Sequence, residues 1–439
     1  MKKVKIISML MTASILSAAL AGCGGNDNSA SEGNSGTTDG KVTIHYSTYA
    51  VGTHLSAPFE TAFLERFKEK YGDKIEVVVE ELPSDPVYTD KMKTLAATNE
   101  LPDMVDGKNG LRDLAIKNGQ AVELTEFLNS DPNFRDEVIG EEALAAQTDS
   151  DGKIYSIFGS VQAVGYFYNQ DLFEKAGVQP AETWDEFWDN CDKLLDSGIV
   201  PMALMTGENS WTTNLLLATM VGSKSEAGNT LMNTKYPETY QTPEMIESLE
   251  EMQTALQKYT TADALGAAYA NAANNFLQEQ AAMIFNGSWM IADFSNEEKA
   301  VAGLADHIGF AMYPENGLIK TYAEGSVICA KTPETQEAAF TFLKEYWSTE
   351  SQEDRMEKDG SIPVSSEITI SDEFKASNPL FAANVDAVQK AETTVQTFDV
   401  LAYASVVDAF GQYYPELAAG SLDAAGMAEK LDEAAAKAE

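Results

Sequence analysis

The stretch VTIHYSTYAVGTHLSAPFETAFLERFKEKYGDKIEVVVEE, residues 42–81, contains two β-branched runs on either side of an amphipathic segment. Its ends, VTIHY and IEVVVEE, are typical of β-strands, and between them Phe59, Phe63 and Phe67 recur on one face of a helix. Similar alternation continues along the chain. Strands that alternate with helices at this spacing predict βαβ units on a mostly parallel sheet, and therefore an α/β fold.

Length and charge limit the class of protein. A chain of 439 residues is longer than one hydrophobic core usually supports, so two domains are expected. Lys and Arg total 30 against 69 Asp and Glu, a formal net charge of −39. Such an excess of carboxylates repels phosphates, which argues against a nucleic-acid partner.

The N-terminus has the pattern of an export signal. Three lysines precede an apolar run that is too short for a good membrane span and ends in LAGC, residues 20–23. Small residues before a cysteine match the lipobox of bacterial lipoproteins. We therefore expect a signal peptide at 1–22, acyl chains (palmitate among them) on Cys23, and a flexible linker at 23–40 that contains no aliphatic residue larger than alanine.

The two remaining cysteines, Cys191 and Cys329, each lie inside a regular apolar pattern. An exported protein can form a disulfide between them, but two buried free thiols are the favoured interpretation.

Five tryptophans fall into two groups. Trp184, Trp188 and Trp347 lie at helical spacing and are predicted to pack in a core. Trp211, in TGENSWTTN, and Trp289, in NGSWM, follow the predicted strands 201–205 and 282–286 and are flanked by small polar residues. An aromatic face beside amide and hydroxyl groups suits a sugar, but from the local sequence alone a structural role is equally open.

Several kinds of catalytic site lack their motifs. The chain has no GxSxG, HExxH, GxxxxGK[ST] or GxGxxG, and its three histidines lack metal-ligand spacing. We therefore predict no cofactor, no metal and no enzymatic activity. A glycosidase-like pair of carboxylates stays open as an alternative, because the sequence does not show how far apart two side chains lie in space.

A longer set of motifs resembles one family. GKIY, YNQDLF, AGV and TWDEF follow one another within residues 152–187, and LPDMV (101–105), QAAMIFNGSW (280–289), MYPENG (312–317) and GSIPV (360–364) extend the match over nearly the whole mature chain. This pattern is similar to that of the family 1 extracellular solute-binding proteins, the maltose-binding-protein-like carbohydrate receptors of ABC importers.

The resemblance implies a two-lobed periplasmic-binding-protein-like fold of type II with a ligand cleft between the lobes. Lobe one would be 41–162 plus 318–358, and lobe two 163–317 plus 359–439. Hinge closure on a ligand is the motion that this fold implies.

The resemblance also implies ligand-binding residues. Trp289 and Trp211 correspond to stacking platforms of lobe two, and Asp106 to a polar group of lobe one. Gln162 stands where some members have a carboxylate. Weaker candidates, chosen for polarity at the expected loop positions, are Tyr49, Glu81, Glu324 and Asp399.

The function so implied is the substrate-binding component of an ABC importer: a lipid-anchored monomer on the extracellular (or periplasmic) face of the cell membrane that binds an oligosaccharide and delivers it to permease subunits. Two alternatives stay open. One is a secreted carbohydrate-active enzyme, and the other is a receptor for a non-sugar solute such as a peptide or polyamine.

Overall fold

The computed structural model describes residues 40–438, except residues 53, 84 and 150. The predicted signal peptide, Cys23 and all but the last residue of the linker lie outside this part. The described residues belong to one compact unit. No helix within them combines the length and the apolar character that crossing a membrane requires.

The first of two sheets is built mainly from the N-terminal part of the chain. It contains β1 (Val42–Thr48), β2 (Ile75–Glu81), β3 (Met104–Asp106), β4 (Ser156–Ile157) and β9 (Ser326–Ile328). Their order is β2-β1-β3-β9-β4. β1 is parallel to β2 and β3, as the βαβ pattern predicts, whereas β9 is antiparallel to β3 and β4.

The second sheet departs from the predicted parallel arrangement. It contains β5 (Ser160–Asn169), β6 (Met283–Gly287), β7 (Ile308–Ala311), β8 (Gly317–Thr321), β10 (Ile362–Pro363) and β11 (Thr393–Val395). β5 pairs antiparallel with β6, β7, β8 and β10, and only β8 and β11 are parallel. A mostly parallel sheet is therefore wrong for this half, because hydrophobic periodicity predicts a strand but not the direction of its neighbour.

The strand predicted at 201–205 is reduced to a single bridging residue. Met202 pairs in parallel with Thr260 and with Met283 of β6. The segments that lead to Trp211 and Trp289 therefore run side by side in the same direction, although only β6 is a full strand.

The helices cover both sheets. They are α1 (Ala57–Tyr71), α2 (Asp85–Thr98), α3 (Leu111–Lys117), α4 (Thr125–Ser130), α5 (Glu141–Gln147), α6 (Gln170–Ala176), α7 (Trp184–Asp196), α8 (Trp211–Lys224), α9 (Glu226–Leu231), α10 (Pro243–Thr254), α11 (Tyr269–Leu277), α12 (Ile291–Phe294), α13 (Pro333–Tyr346), α14 (Thr349–Asp359), α15 (Asp372–Ser377), α16 (Pro379–Lys390), α17 (Phe398–Leu401), α18 (Ala404–Ala419) and α19 (Ala424–Ala435). Short 3₁₀ turns cover Glu208–Ser210, Ser288–Met290 and Leu304–His307, and π-helical turns cover Phe134–Ile139 and Ala255–Tyr259.

Helix α1 shows how the pattern leads to packing. A proline in its first turn has the fixed φ that a helix start needs, and its three phenylalanines are buried against the first sheet, as predicted. Burial of each such side chain contributes roughly 1.5–3 kcal/mol.

Each sheet has its own principal core. The first includes Ile44, Phe63 and Phe342. The second includes Leu216 and Phe410. They meet along two strands that contribute to both, β5 through Ala163 and Val164 and β8 through Leu318 and Ile319, while α16 adds Phe381 and Val385 to the first core. The exact lobe boundaries stay a prediction.

The tryptophans and cysteines assigned to the core lie there or at its edge. Trp184 and Trp347 are buried, and Trp188 is half-buried at the edge of the second core. Cys191 and Cys329 are buried free thiols, which confirms the favoured interpretation.

Candidate functional site

Trp211 begins α8 directly after a left-handed backbone segment. Glu208, Asn209 and Ser210 have φ values of 46°, 56° and 62°. For a non-glycine residue this conformation costs about 1 to 2 kcal/mol, so surrounding contacts must enforce it. The Gly207 N–H donates to the Ala267 carbonyl at 2.8 Å, and the Ser210 hydroxyl donates to the Thr206 carbonyl at 3.1 Å. The half-buried indole of Trp211 is therefore held at the helix start.

Tyr269, which sequence reasoning missed, lies beside Trp211. The two ring centroids are 4.9 Å apart, with 42° between the ring planes. The Tyr269 backbone N–H donates to the Glu208 carboxylate at 2.9 Å, and its hydroxyl accepts from the Asn286 side-chain amide at 3.1 Å. A tyrosine among alanines and asparagines at a helix start carries no signal of its own in the sequence.

Trp289 is positioned by the glycine two residues before it. It lies in the turn after β6, half-buried, and its ring covers Gly287 so closely that a Cβ at that position would be 2.3 Å from the ring atom Cζ3. Asn286, which reaches Tyr269, immediately precedes this glycine. Both Trp211 and Trp289 rest on the same two apolar clusters. We call Trp211, Tyr269 and Trp289 the aromatic surface.

A second set of candidates lies at the carboxyl end of the first sheet. Asp106 ends β3, where its Oδ1 accepts from the Lys108 N–H at 3.0 Å and its Oδ2 accepts from the Tyr49 hydroxyl at 3.4 Å. The Lys108 ammonium lies over the Tyr49 ring, 3.9 Å from its centroid. The buried Tyr88 hydroxyl bonds the Asp106 backbone and fixes its position. The structure thus brings the predicted residues Tyr49 and Asp106 into contact.

Glu324 approaches the same corner from the loop before β9. Both of its carboxylate oxygens accept from the Gly110 N–H, at 3.2 and 3.1 Å. Burial, together with the nearby carboxylates of Asp113 and Asp106, raises the pKa of Glu324 to about 8, although the Gly110 N–H favours the ionised form. A protonated fraction is therefore present at neutral pH, and this carboxyl group can donate as well as accept.

Asp399, in α17 on the second core, faces this corner. Solvent reaches its side chain, but the surrounding protein excludes enough water to raise the pKa of Asp399 to about 6, against the opposing charge of Lys108. This electrostatic interaction links the second core to the first sheet.

Gln162 and Glu81 are less closely joined to these residues. Gln162 is half-buried in β5, opposite Thr321 of β8 and next to the point where both cores meet. Glu81 is exposed at the end of β2, opposite Thr48 of β1, and so lies at the same sheet edge as Tyr49.

The arrangement can hold a polar ligand that has an apolar face. Aromatic rings stack on such faces, and carboxylates, hydroxyls and amides accept or donate hydrogen bonds. In the described part of the chain, no group of three or more His, Cys, Asp or Glu side chains could hold a metal ion.

Comparison with known proteins identifies the family. A sequence model of the family described as bacterial extracellular solute-binding protein matches residues 62–383, well over half of the chain. The chain belongs to this family.

Two curated relatives match this chain over different lengths. The multiple sugar-binding protein of Streptococcus mutans is 26% identical over 381 residues, which covers 82% of this chain and 83% of the relative. The arabinooligosaccharide-binding protein of Bacillus subtilis is 26% identical over 217 residues, 48% of this chain and 46% of that one.

Solved structures show that this solute-binding protein has the two-lobed fold. A chitin oligosaccharide binding protein superimposes with a TM-score of 0.76 at 24% identity, covering 91% of this chain and 99% of the other. A Streptococcus pneumoniae solute-binding protein in complex with the blood group A-trisaccharide gives 0.76 at 21% identity, covering 89% and 98%. The expected two-lobed α/β architecture is therefore confirmed.

Proposed function

We propose that this solute-binding protein is the receptor of an ABC importer for a carbohydrate, and that it binds an oligosaccharide in the cleft between its lobes. The observation that carries this proposal is the aromatic surface: three aromatic side chains, none fully buried, held by strained backbone, a glycine and hydrogen bonds. The curated relatives named above bind sugars or oligosaccharides, which supports the same ligand class.

The two sets of residues have complementary roles in this proposal. The aromatic surface stacks against the C–H faces of sugar rings, while Asp106, Glu324, Asp399 and Gln162 hydrogen-bond the hydroxyls. A sugar held from both sides binds the closed form more tightly than the open form, and this difference drives closure. A micromolar dissociation constant requires only about −8 kcal/mol in total.

The proposal extends to the cellular setting. Acylation of Cys23 anchors the monomer at the extracellular (or periplasmic) face of the membrane, and the linker leaves the folded part free to reach the permease. The family relatives are binding proteins, so we propose a receptor and not an enzyme.

A ligand screen tests the ligand class. We expect the fragment from residue 24 onward to unfold at a higher temperature with one or more oligosaccharides from a panel, because ligand at 100 times its dissociation constant adds about 2.7 kcal/mol. Calorimetry of each hit then gives the affinity. Stabilisation by peptides or polyamines and by no sugar contradicts a carbohydrate ligand.

Product analysis of the same incubations tests the binding role. We expect each bound oligosaccharide to be recovered intact. Cleavage of a bound glycan would show that the protein is an enzyme.

A further inference from the structure

Asp113 is anchored on the side of the first sheet. Its helix, α3, buries Leu111 and Ala115 in a cluster with residues of β3 and β9. One carboxylate oxygen of Asp113 accepts from the buried guanidinium of Arg112 at 2.9 Å. The carboxylate is therefore a fixed acceptor that belongs to the first lobe.

Lys235 and Tyr236 are anchored on the other side, in the loop between α9 and α10. The Tyr236 N–H donates to the Leu401 carbonyl at 2.7 Å, and its ring stacks on Tyr403, with centroids 4.1 Å apart and 10° between the planes. Leu401 belongs to the second core, and Tyr403 packs against it. The φ of Tyr236 is 54°, a disfavoured value for an aromatic residue, so these contacts hold the loop in an enforced conformation.

The two anchored sides meet directly. The Lys235 ammonium lies 3.1 and 3.0 Å from the two oxygens of Asp113, and the Tyr236 hydroxyl donates to the same carboxylate. Burial opposes ionisation of Asp113, but Lys235, Tyr236 and Arg112 together hold its pKa below the usual value. The carboxylate therefore remains charged at neutral pH, as both contacts require.

We propose that Asp113, Lys235 and Tyr236 form an interlobe clasp that stabilises the closed form even without ligand. The clasp rests on the two-lobed fold and not on the identity of the ligand. An ion pair and a hydrogen bond at a partly exposed position are individually weak, so the clasp biases the equilibrium and leaves the cleft able to open. Its strength then sets the fraction of the receptor that is closed at rest.

The chain contains a matched control for this chemistry. Lys258 and Tyr259 bind Asp192 in the same arrangement: the Tyr259 hydroxyl donates to Asp192 at 2.8 Å, and the Lys258 ammonium pairs with it. Lys258 also lies over the ring of Tyr259 at 4.8 Å, as Lys235 lies over Tyr236 at 5.0 Å. Tyr259 belongs to the second core, and Asp192 lies in α7, which packs in the same core. This set of three residues therefore does not connect the second core to the first sheet.

Electron paramagnetic resonance distance measurements test the clasp in the fragment from residue 24 onward, which contains the whole compact unit. Spin labels at Lys117→Cys and Glu226→Cys occupy exposed positions, one on each side, while the native cysteines are buried. Without any sugar, Lys235→Ala combined with Tyr236→Phe should lower the closed-to-open ratio about three- to tenfold. Tyr236→Phe keeps the ring that stacks on Tyr403, so the fold is retained, and Asp113→Asn should act in the same direction.

Two results would overturn the clasp. One is an unchanged distance distribution in the Lys235→Ala, Tyr236→Phe variant. The other is an equal shift in the Lys258→Ala, Tyr259→Phe control, because the effect would then belong to surface charge in general. The distances are measured without ligand, so they do not depend on whether the protein binds a sugar. A failure of sugar binding would be detected in the ligand screen instead.

Discussion

The indole ring of Trp289 covers Gly287 so closely that no side chain fits between them: a Cβ at residue 287 would lie 2.3 Å from ring atom Cζ3. The backbone at Gly287, with φ −111° and ψ −176°, suits any residue, so the close approach of the ring is the reason for glycine. We predict that Gly287→Ala displaces the ring and weakens oligosaccharide binding about tenfold or more, measured by calorimetry.

A double-mutant cycle isolates the ring from other effects of this change. Once Trp289→Ala has removed the indole, adding Gly287→Ala should cause little further loss of affinity. If the two losses add instead, Gly287 acts through something other than the position of the ring.

Trp211 and Trp188 offer a comparison between two half-buried tryptophans. Trp211 belongs to the aromatic surface, whereas Trp188 stacks on Tyr259 at 5.8 Å at the edge of the second core. We predict that Trp211→Ala weakens sugar binding more than tenfold, and that Trp188→Ala lowers the unfolding temperature but leaves the affinity unchanged. Calorimetry and thermal unfolding on both variants decide this, and equal affinities for Trp211→Ala and the parent would remove Trp211 from the site.

Glu324 should make stability fall as the pH rises from the acidic to the weakly alkaline range. Its pKa is raised to about 8 in the folded protein, so the favourable contribution of its protonated form is complete below the unfolded value of about 4.3 and is lost as the pH rises through 8. We predict that Glu324→Gln, which cannot ionise, gains stability relative to the parent between about pH 5 and about pH 9. Thermal unfolding across this range measures the gain.

Asp399 supplies the comparison for this titration. Its raised pKa is about 6, so the relative gain of Asp399→Asn should be complete near about pH 7. A gain for Glu324→Gln that is also complete by that pH would contradict the assignment of the higher pKa to Glu324.

Substitutions of Asn209 test the backbone strain in the left-handed segment before Trp211. Glycine adopts a φ of 56° without steric penalty, whereas a β-branched residue does so only at high energy. We predict that Asn209→Gly retains or slightly increases stability and sugar affinity, and that Asn209→Val lowers the free energy of unfolding by about 1 to 3 kcal/mol. Chemical denaturation gives the free energy of unfolding of both variants. An Asn209→Val variant as stable as the parent would show that the loop can adopt another backbone conformation, without a positive φ at residue 209, at no cost.

The two buried cysteines should not react with thiol reagents in the folded protein. The thiolate is the reactive form, and burial raises the pKa of Cys329 to about 12 and that of Cys191 above its usual range. We predict that a thiol reagent at about pH 8 leaves the folded fragment from residue 24 onward unmodified and labels both cysteines after denaturation without reductant. Labelling of neither cysteine after denaturation would indicate a disulfide.

Local patterns in the sequence were sufficient for much of the secondary structure. The runs VTIHY and IEVVVEE predict two strands, and the spacing of Phe59, Phe63 and Phe67 predicts a helix between them. The elements are Val42–Thr48, Ala57–Tyr71 and Ile75–Glu81. The start of the last helix is an exception, because Ser421 and Asp423 are both typical capping residues and only the structure shows that Asp423 accepts from the Gly426 N–H. Several capping residues close together leave the start of a helix uncertain by a turn.

What the sequence determined by itself is therefore most of the helices and strands, the packing of Trp184, Trp188 and Trp347 in or beside a core, the buried cysteines and the family, because periodicity and motifs are encoded in neighbouring residues. Only the tertiary structure decided the antiparallel pairing around β5, the contact of Tyr269 with Trp211, and the meeting of Asp113 with Tyr236. These contacts join residues far apart in the chain, and no local pattern specifies which distant partner a strand edge, a ring or a carboxylate will find.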